Sequence, residues 1–283
     1  MINVLVTGGN GQLATCIREY SKDQKDLNFL FVDSGQLDIT DYNAVHTFFK
    51  KENISFCINC AAYTAVDQAE TDKGIAEKVN VIGAKNLSQI CKLFNAILIH
   101  ISTDFVFDGM KATLYTEQDI VEPISVYGHT KLQGEIAIAE SWEKHIIIRT
   151  SWLYSEYGNN FLKTMLRLGA ERDSLGVVAD QIGTPTYAVD LAKVIITIIN
   201  KANPEFGIFH YSNEGVASWY DFAEAIFDIS KTKVELSPIR TEAYPTPAKR
   251  PSFSVMDKAK IKSSLGIKIP YWRESLKECL LKI

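Results

Sequence analysis

Five short, almost unbroken apolar runs punctuate the first half of this 283-residue chain: 2–6 (INVLV), 28–33 (NFLFVD), 55–60 (SFCINC), 95–101 (NAILIHI) and 145–149 (HIIIR). A strand with one face in water alternates apolar and polar residues. An unbroken run needs cover on both faces, as parallel strands have between two layers of helices. The intervening segments 11–22, 41–52, 72–93 and 126–142 have helical length and mixed polarity. Repeated strand–helix–strand units joined by right-handed crossovers give a doubly wound parallel α/β sheet.

The pattern loosens after residue 150. Helices are expected near 159–170, 187–201 and 217–229, with strand-like pieces at 174–179 and 206–211. The stretch 240–253 (RTEAYPTPAKRPSF) carries three prolines and little periodicity, which reads as a long functional loop. The final IPYWRESLKECLLKI reads as a closing helix. Residues 1–150 plus about 174–205 are expected to form a dinucleotide-binding domain. Residues about 151–173 and 206–283 are expected to form a smaller, interleaved substrate lobe.

Composition narrows the function classes. A hydrophobic content of 46% with 23% charged residues is that of an ordinary soluble globular protein. The net charge of −4 leaves no basic footprint, so nucleic acid is not an expected partner. The longest apolar run, 194–199 (VIITII), is far below the ~20 residues of a membrane span. The start, MINVLVTGG, has neither a basic leader region nor a cleavage site, so a cytoplasmic protein is expected. Five cysteines show no zinc-like spacing. Cys57 and Cys60 spell C-x-x-C, but in a strand residues three apart face opposite ways, so both are expected as plain buried thiols. His100, inside ILIHIS, is expected as a core histidine.

The first run leads into TGGNGQLA (7–14), where Gly8, Gly11 and Ala14 follow a G-x-x-G-x-x-A spacing. The first glycine permits a tight turn and the second a close approach to a pyrophosphate. The small third residue lets the helix pack on the sheet with its N-terminus facing the phosphates. Gln12 and Leu13 belong to the same turn. The second strand ends at Asp33, where an acid can accept from a ribose 2′-hydroxyl and would repel a 2′-phosphate. That favours NADH, although Ser34 could still hydrogen-bond the extra phosphate of NADPH. Asp38 is either the N-terminal acid of the next helix or an adenine contact, with Ile39 beside it. Ala61, Ala62 and Tyr63 follow the third strand, where a dinucleotide crosses the sheet. Asp67 and Glu70 are expected to cap and solvate a helix.

The fourth strand ends in HISTDFVFDG, which places Ser102, Thr103 and Asp104 at its carboxyl tip. Tyr127 follows 24 residues after Thr103, with Lys131 one helical turn further on. With 12 Tyr and 23 Lys in 283 residues, chance alone supplies roughly one Tyr-x-x-x-Lys pair, so the pair gains meaning only from its surroundings.

Those surroundings resemble a known family. T-G-x-x-G, a strand-tip hydroxyl and Y-x-x-x-K together look like an extended short-chain dehydrogenase/reductase of Rossmann type. The ordered blocks AAYTAVDQAE, STDFVFDG, VYGHTKLQGE, IIRTSWLYSEYGNNFLKTML, DQIGTPT and AYPTPAKRP are similar to those of the dTDP-4-dehydrorhamnose reductases. The resemblance implies reduction of a dTDP-sugar C4 ketone by NADPH or NADH. It makes Tyr127 the proton donor, Lys131 the charge that lowers its pKa and holds the nicotinamide ribose, and Thr103 a hydrogen-bond donor to the reacting oxygen. It assigns Asp104 and Trp152 to the sugar, and Asn160 and Arg250 to the nucleotide and diphosphate. Dehydratases of this superfamily carry Asp-Glu after the strand-tip Thr. Here Asp104 is followed by Phe105, so dehydration is disfavoured. Some relatives form a magnesium-bridged homodimer on carboxylates. Here Thr15, Cys16 and Val189 stand at the matching positions, followed by Asp190, so no metal bridge is expected and a homodimer would have to form without one. Two alternatives remain at this stage: a reductase or epimerase of another nucleotide sugar, and a dinucleotide-binding regulatory subunit like that of methionine adenosyltransferase.

Overall fold

The computed structural model describes residues 1–283. The first half alternates β1 (Ile2–Thr7), α1 (Gln12–Tyr20), β2 (Leu27–Val32), α2 (Tyr42–Glu52) and β3 (Ile54–Asn59). It continues with α3 (Lys73–Glu77), α4 (Ala84–Leu93), β4 (Ile97–Thr103), α5 (Val126–Ser141) and β5 (His145–Thr150). The second half holds β6 (Leu153–Tyr154), α6 (Phe161–Glu171), β7 (Ser174–Val178), β8 (Ile182–Gly183), β9 (Thr186–Tyr187) and α7 (Ala188–Asn200). It ends with β10 (Gly207–His210), β11 (Ala217–Ser218), α8 (Trp219–Ser230), β12 (Glu235–Ile239), α9 (Ala259–Leu265) and α10 (Trp272–Leu280).

The main sheet has the order β10-β5-β4-β3-β1-β2 with every pair parallel. The unbroken apolar runs have the physical cause expected of them. Val4 and Val6 enter one buried cluster, with α1, α7 and α8, while Leu5 between them enters the other, with α2 and α4. Cys57 and Cys60 divide between the same two clusters, and all five cysteines are unpaired.

The strand order reverses at β1, which lies between β2 and β3. Loops leaving β1 and β3 therefore diverge and open a crevice at the carboxyl edge of the sheet, the usual ligand position in such folds.

Two strands sit differently from expectation. The 174–178 strand, expected with the dinucleotide-binding part, pairs with β12 outside the main sheet. Its alternating burial is that of a strand covered on one face. Residues 207–210, expected in the substrate lobe, form β10, the sixth main-sheet strand, beside β5. The almost wholly apolar α7 packs beside α1 and supplies the crossover that delivers β10 there. The single helix expected over 72–93 is interrupted by a π-helical turn at 78–83.

Candidate active site

The glycine turn is built for close approach. Gly8 has φ +65°, and a Cβ there would lie 2.8 Å from the Ala61 nitrogen. Gly9 N–H donates to Val32 O at 2.8 Å and Gly11 N–H to Gly8 O at 2.8 Å. α1 then begins with no side-chain cap and no acid in its first turn. Its first amides face the crevice with their partial positive charge uncancelled, the arrangement that receives a diphosphate. A dinucleotide fits this edge on that ground.

The other residues expected around the cofactor divide by what they already touch. Leu13 and Ile39 are core residues at the crevice wall. Gln12 is clasped from the far side: its amide donates to Leu153 O at 3.2 Å and accepts from Ser155 Oγ at 3.2 Å and Asn160 Nδ2 at 3.3 Å. Asp33 binds its own turn, with Oδ1 accepting from Gly35 and Gln36 N–H and Oδ2 from Asn10 Nδ2 at 2.8 Å. A ribose hydroxyl would share a carboxylate that already holds the loop. Asp38 Oδ1 accepts from Thr40 N–H at 2.9 Å, which keeps its carboxyl below the usual range. Ala61 and Ala62 are half-buried at the end of β3. Tyr63 donates through its hydroxyl to Asp72 at 3.0 Å and through its N–H to Asn80 at 2.9 Å. Arg18 was not anticipated. Its guanidinium donates to Gly9 O at 3.0 Å and lies 4.5 Å over the Phe31 ring, which makes it a basic group between the glycine turn and β2. In the last turn of α1, it carries no motif that a sequence reading would single out.

At the reacting end, α5 is seated by several contacts. The Ser125 hydroxyl accepts from Gly128 N–H at 3.2 Å, and the Glu70 carboxylate accepts from Val126 N–H at 2.9 Å. Glu70 thus caps the helix that carries Tyr127. A Cβ on Gly128 would meet Phe105 O at 2.3 Å, and one on Gly134 would meet Asn80 O at 2.2 Å. Both glycines let the helix settle against the tip of β4 and the π-helical turn. Asn80, in that turn, donates to Thr130 on α5 at 3.0 Å.

Thr103, Tyr127 and Lys131 converge at the carboxyl end of β4. Burial pushes the Tyr127 phenol up to about 12, the Thr103 hydroxyl draws it back by hydrogen bonding, and nearby Asp104 raises it. Lys131, expected to lower that value, is not among the groups that shift the phenol. Its ammonium end turns to the strand, donating to Ile101 O at 2.7 Å and lying 3.2 Å from His100 Nε2. Burial lowers Lys131 to about 8. Asp104 is buried; Thr103 Oγ1 donates to its Oδ1 at 3.2 Å, and its Oδ2 has no partner. Burial raises its carboxyl to about 6.

Beside this tip a cleft is lined by Phe105, Trp152, Gln181, Trp219 and Arg250. Trp152 adopts φ +47° and stacks on Trp219 with ring centroids 3.6 Å apart and 8° between planes. The indole pair forms one rigid apolar wall, and Trp219 shares no block of sequence with Trp152. Arg250 grips Asp67 with both guanidinium nitrogens, at 3.0 and 2.7 Å, so Asp67 anchors the 240–253 segment instead of capping a helix. Asn160 lies outside the cleft. It caps α6, accepting from Lys163 N–H at 3.1 Å, and donates to Ser155 O at 2.8 Å.

Residues 2–283 match the family described as the RmlD substrate binding domain. A dTDP-4-dehydrorhamnose reductase of Aggregatibacter actinomycetemcomitans is 44% identical over 98% of each chain. A crystal structure of a dTDP-4-dehydrorhamnose reductase from Clostridium acetobutylicum superposes with a TM-score of 0.96 at 44% identity over the whole of both chains. The same enzyme from Bacillus anthracis, in complex with NADP, superposes with a TM-score of 0.96 at 39% identity, again over the whole of both chains.

Proposed function

The chain belongs to the dTDP-4-dehydrorhamnose reductase family, and from that premise we propose that it reduces the C4 ketone of dTDP-4-dehydro-L-rhamnose to dTDP-L-rhamnose. The observation that carries the reading is the convergence of Thr103, Tyr127 and Lys131 beside an uncapped, glycine-bordered helix N-terminus.

Bound NADPH or NADH supplies the hydride. The residues of the chain supply the proton and the fields around it. Tyr127, with its phenol raised to about 12, carries its proton at neutral pH and serves as the acid that delivers it to the nascent C4 alkoxide. The Thr103 hydroxyl, close enough to that phenol to lower its pKa, is placed to donate to the same oxygen as charge develops. The phenolate left behind is reprotonated from solvent. Lys131, in its charged form, would hold the nicotinamide ribose and stabilise that phenolate. The Trp152–Trp219 wall offers the sugar an apolar face, and Arg250 offers the diphosphate a planar fork. Arg18 would serve the 2′-phosphate of NADPH if the chain prefers that cofactor.

The reading includes action without a metal bridge between copies. Thr15 donates to Gly11 O, Cys16 is buried, and Asp190 accepts from Asn213 Nδ2 at 2.9 Å and Ser275 Oγ at 2.6 Å inside the protein. None of these positions offers a surface carboxylate. No helix is long and apolar enough to cross a membrane; a cytoplasmic location is part of the proposal, and five unpaired thiols accord with it.

Following NADPH or NADH absorbance with dTDP-4-dehydro-L-rhamnose tests the reading. Turnover is expected. Tight dinucleotide binding without oxidation would favour a regulatory, binding-only protein, and turnover only on a different nucleotide sugar would favour another reductase.

A further inference from the structure

The small β7–β12 pair has no part in the chemistry above, yet it leads to the cleft. Val178 and Ile239 close the pair, and Ala179 N–H donates to Ile239 O at 2.9 Å just beyond them. Asp180 and Gln181 follow from β7, and the 240–253 segment follows from β12. Ile182 then donates through its N–H to Ser252 O and accepts through its carbonyl from Ser254 N–H, both at 2.8 Å. Ser254 lies close enough to the Asp104 carboxyl to lower its pKa. Gln181 therefore sits between two backbone clamps. It is 7% exposed and lines the cleft with Phe105, Trp152, Arg250 and Ser254.

The direction of the Gln181 amide follows from a carboxylate that can only accept. Thr241 N–H donates to both oxygens of Asp180, at 3.0 and 3.1 Å. The Thr241 hydroxyl lies 2.7 Å from Asp180 Oδ1, and at that distance its proton stands between the two oxygens, which would otherwise repel. Burial pushes the Asp180 carboxyl up, but the hydrogen bonds from Thr241 outweigh it and hold the group below its usual range, so it is ionised at neutral pH. The hydroxyl oxygen has only lone pairs left for Gln181, 3.1 Å away, and must face the NH2. Oε1, an acceptor, is then the free end of the amide, because the side chain has no other hydrogen-bond partner in the protein.

We propose that Gln181 selects the sugar by accepting a hydrogen bond from one of its ring hydroxyls at Oε1, with Asp180 and Thr241 as the positioning residues that aim the amide. The chemistry of the substrate calls for such a group. The C4 oxygen goes to Tyr127 and Thr103, and the diphosphate at C1 goes to Arg250. The ring positions between them, C2 and C3, carry hydroxyls whose protons need acceptors. The cleft has two to offer: Asp104 Oδ2, which has no partner, and Gln181 Oε1. A sugar lacking the matching hydroxyl would leave the amide oxygen unpaired in an aromatic-walled site, which is a strong basis for rejection. The inference rests on the proposed function and deepens it.

Calorimetric titration with dTDP-L-rhamnose and with its 2-deoxy and 3-deoxy analogues tests this without turnover. Gln181→Met, similar in size and without a carbonyl, should weaken dTDP-L-rhamnose by about three- to tenfold. It should leave one of the two analogues bound as the wild type binds it, because that analogue lacks the hydroxyl that Oε1 accepts. Thr241→Val frees the amide to turn and should weaken dTDP-L-rhamnose in the same direction. Thr241→Ser keeps the hydroxyl and should restore the affinity. NADPH affinity, unchanged in each variant, reports an intact fold; if Gln181→Met does not fold, Thr241→Val decides by the same comparison of ligands. A variant that weakens all three ligands equally, or none of them, overturns the inference, since the residue then only packs or meets another part of the nucleotide. Wild-type protein that binds no dTDP-sugar refutes the proposed function and this inference with it. Binding that is indifferent to Gln181 refutes this inference alone.

Discussion

Tyr127 and Asp104 illustrate how burial gives each side chain its proton. The phenol near 12 and the carboxyl near 6 share a cause, removal of the charged form from water. Tyr127→Phe should lower turnover by about two to four orders of magnitude and leave dinucleotide affinity unchanged. Steady-state kinetics beside a binding titration check this, and a near-normal rate removes Tyr127 from proton transfer. Asp104 leads to a pH prediction. Its folded value lies above the usual 3.8, so the folded protein binds its proton more tightly than the unfolded chain does. This contribution to stability is fully present below about pH 4 and is lost as pH rises through 6. Urea unfolding at pH 4, 5 and 7 should show Asp104→Asn lacking that part of the decline; parallel pH profiles for the two proteins would refute it. At this scale the sequence was legible where a motif names the residue type. It was silent where function depends on a partner. The contacts of Lys131 with Ile101 and His100, and the use of Asp33 by its own turn, come from distances that no spacing encodes.

Helix α5 shows why glycines sit inside an element that a propensity argument would fill with alanine. An interior Gly costs roughly 1 kcal/mol relative to Ala in an isolated helix. At Gly128 the Cβ would lie 2.3 Å from a backbone carbonyl, which cannot swing away. Gly128→Ala should therefore destabilise by about 1–3 kcal/mol, as overpacking does, and should displace Tyr127 from Thr103. Gly74→Ala on α3 is the control: nothing lies within 4 Å of its Cβ, so it should be neutral or stabilising. Chemical denaturation of the two variants tests the contrast, and an equal effect would show that approach to Phe105 is not what Gly128 provides. The apolar runs predicted the strands because a doubly covered strand has no polar face to disguise it. The π-helical turn at 78–83 was not legible, because a register shift of one residue leaves length and polarity unchanged. The pairing of β7 with β12 was missed for a related reason: a short strand shows its burial, not its neighbour.

Across the whole molecule, the 240–253 segment ties the second half of the chain to the first. Arg250 and Ala248 N–H reach Asp67, and Ser252 donates to Gly109 O at 2.8 Å. The two-pronged Asp67 contact presents the guanidinium at the cleft. Arg250→Ala should raise KM for the nucleotide sugar about tenfold or more, with dinucleotide affinity unaffected. Asp67→Ala should raise it too, by freeing the arginine. A normal KM in Asp67→Ala would show that this pair does not position Arg250. The order of amino acids was enough for the doubly wound sheet and the glycine turn. Each is a matter of local pattern: burial on two faces, and a turn that admits no side chain. Folding in three dimensions settled which strand joins which sheet, which indole stacks on Trp152 and what Arg250 holds. Those depend on groups far apart in the chain meeting at hydrogen-bond distance, and burial then makes each such meeting obligatory.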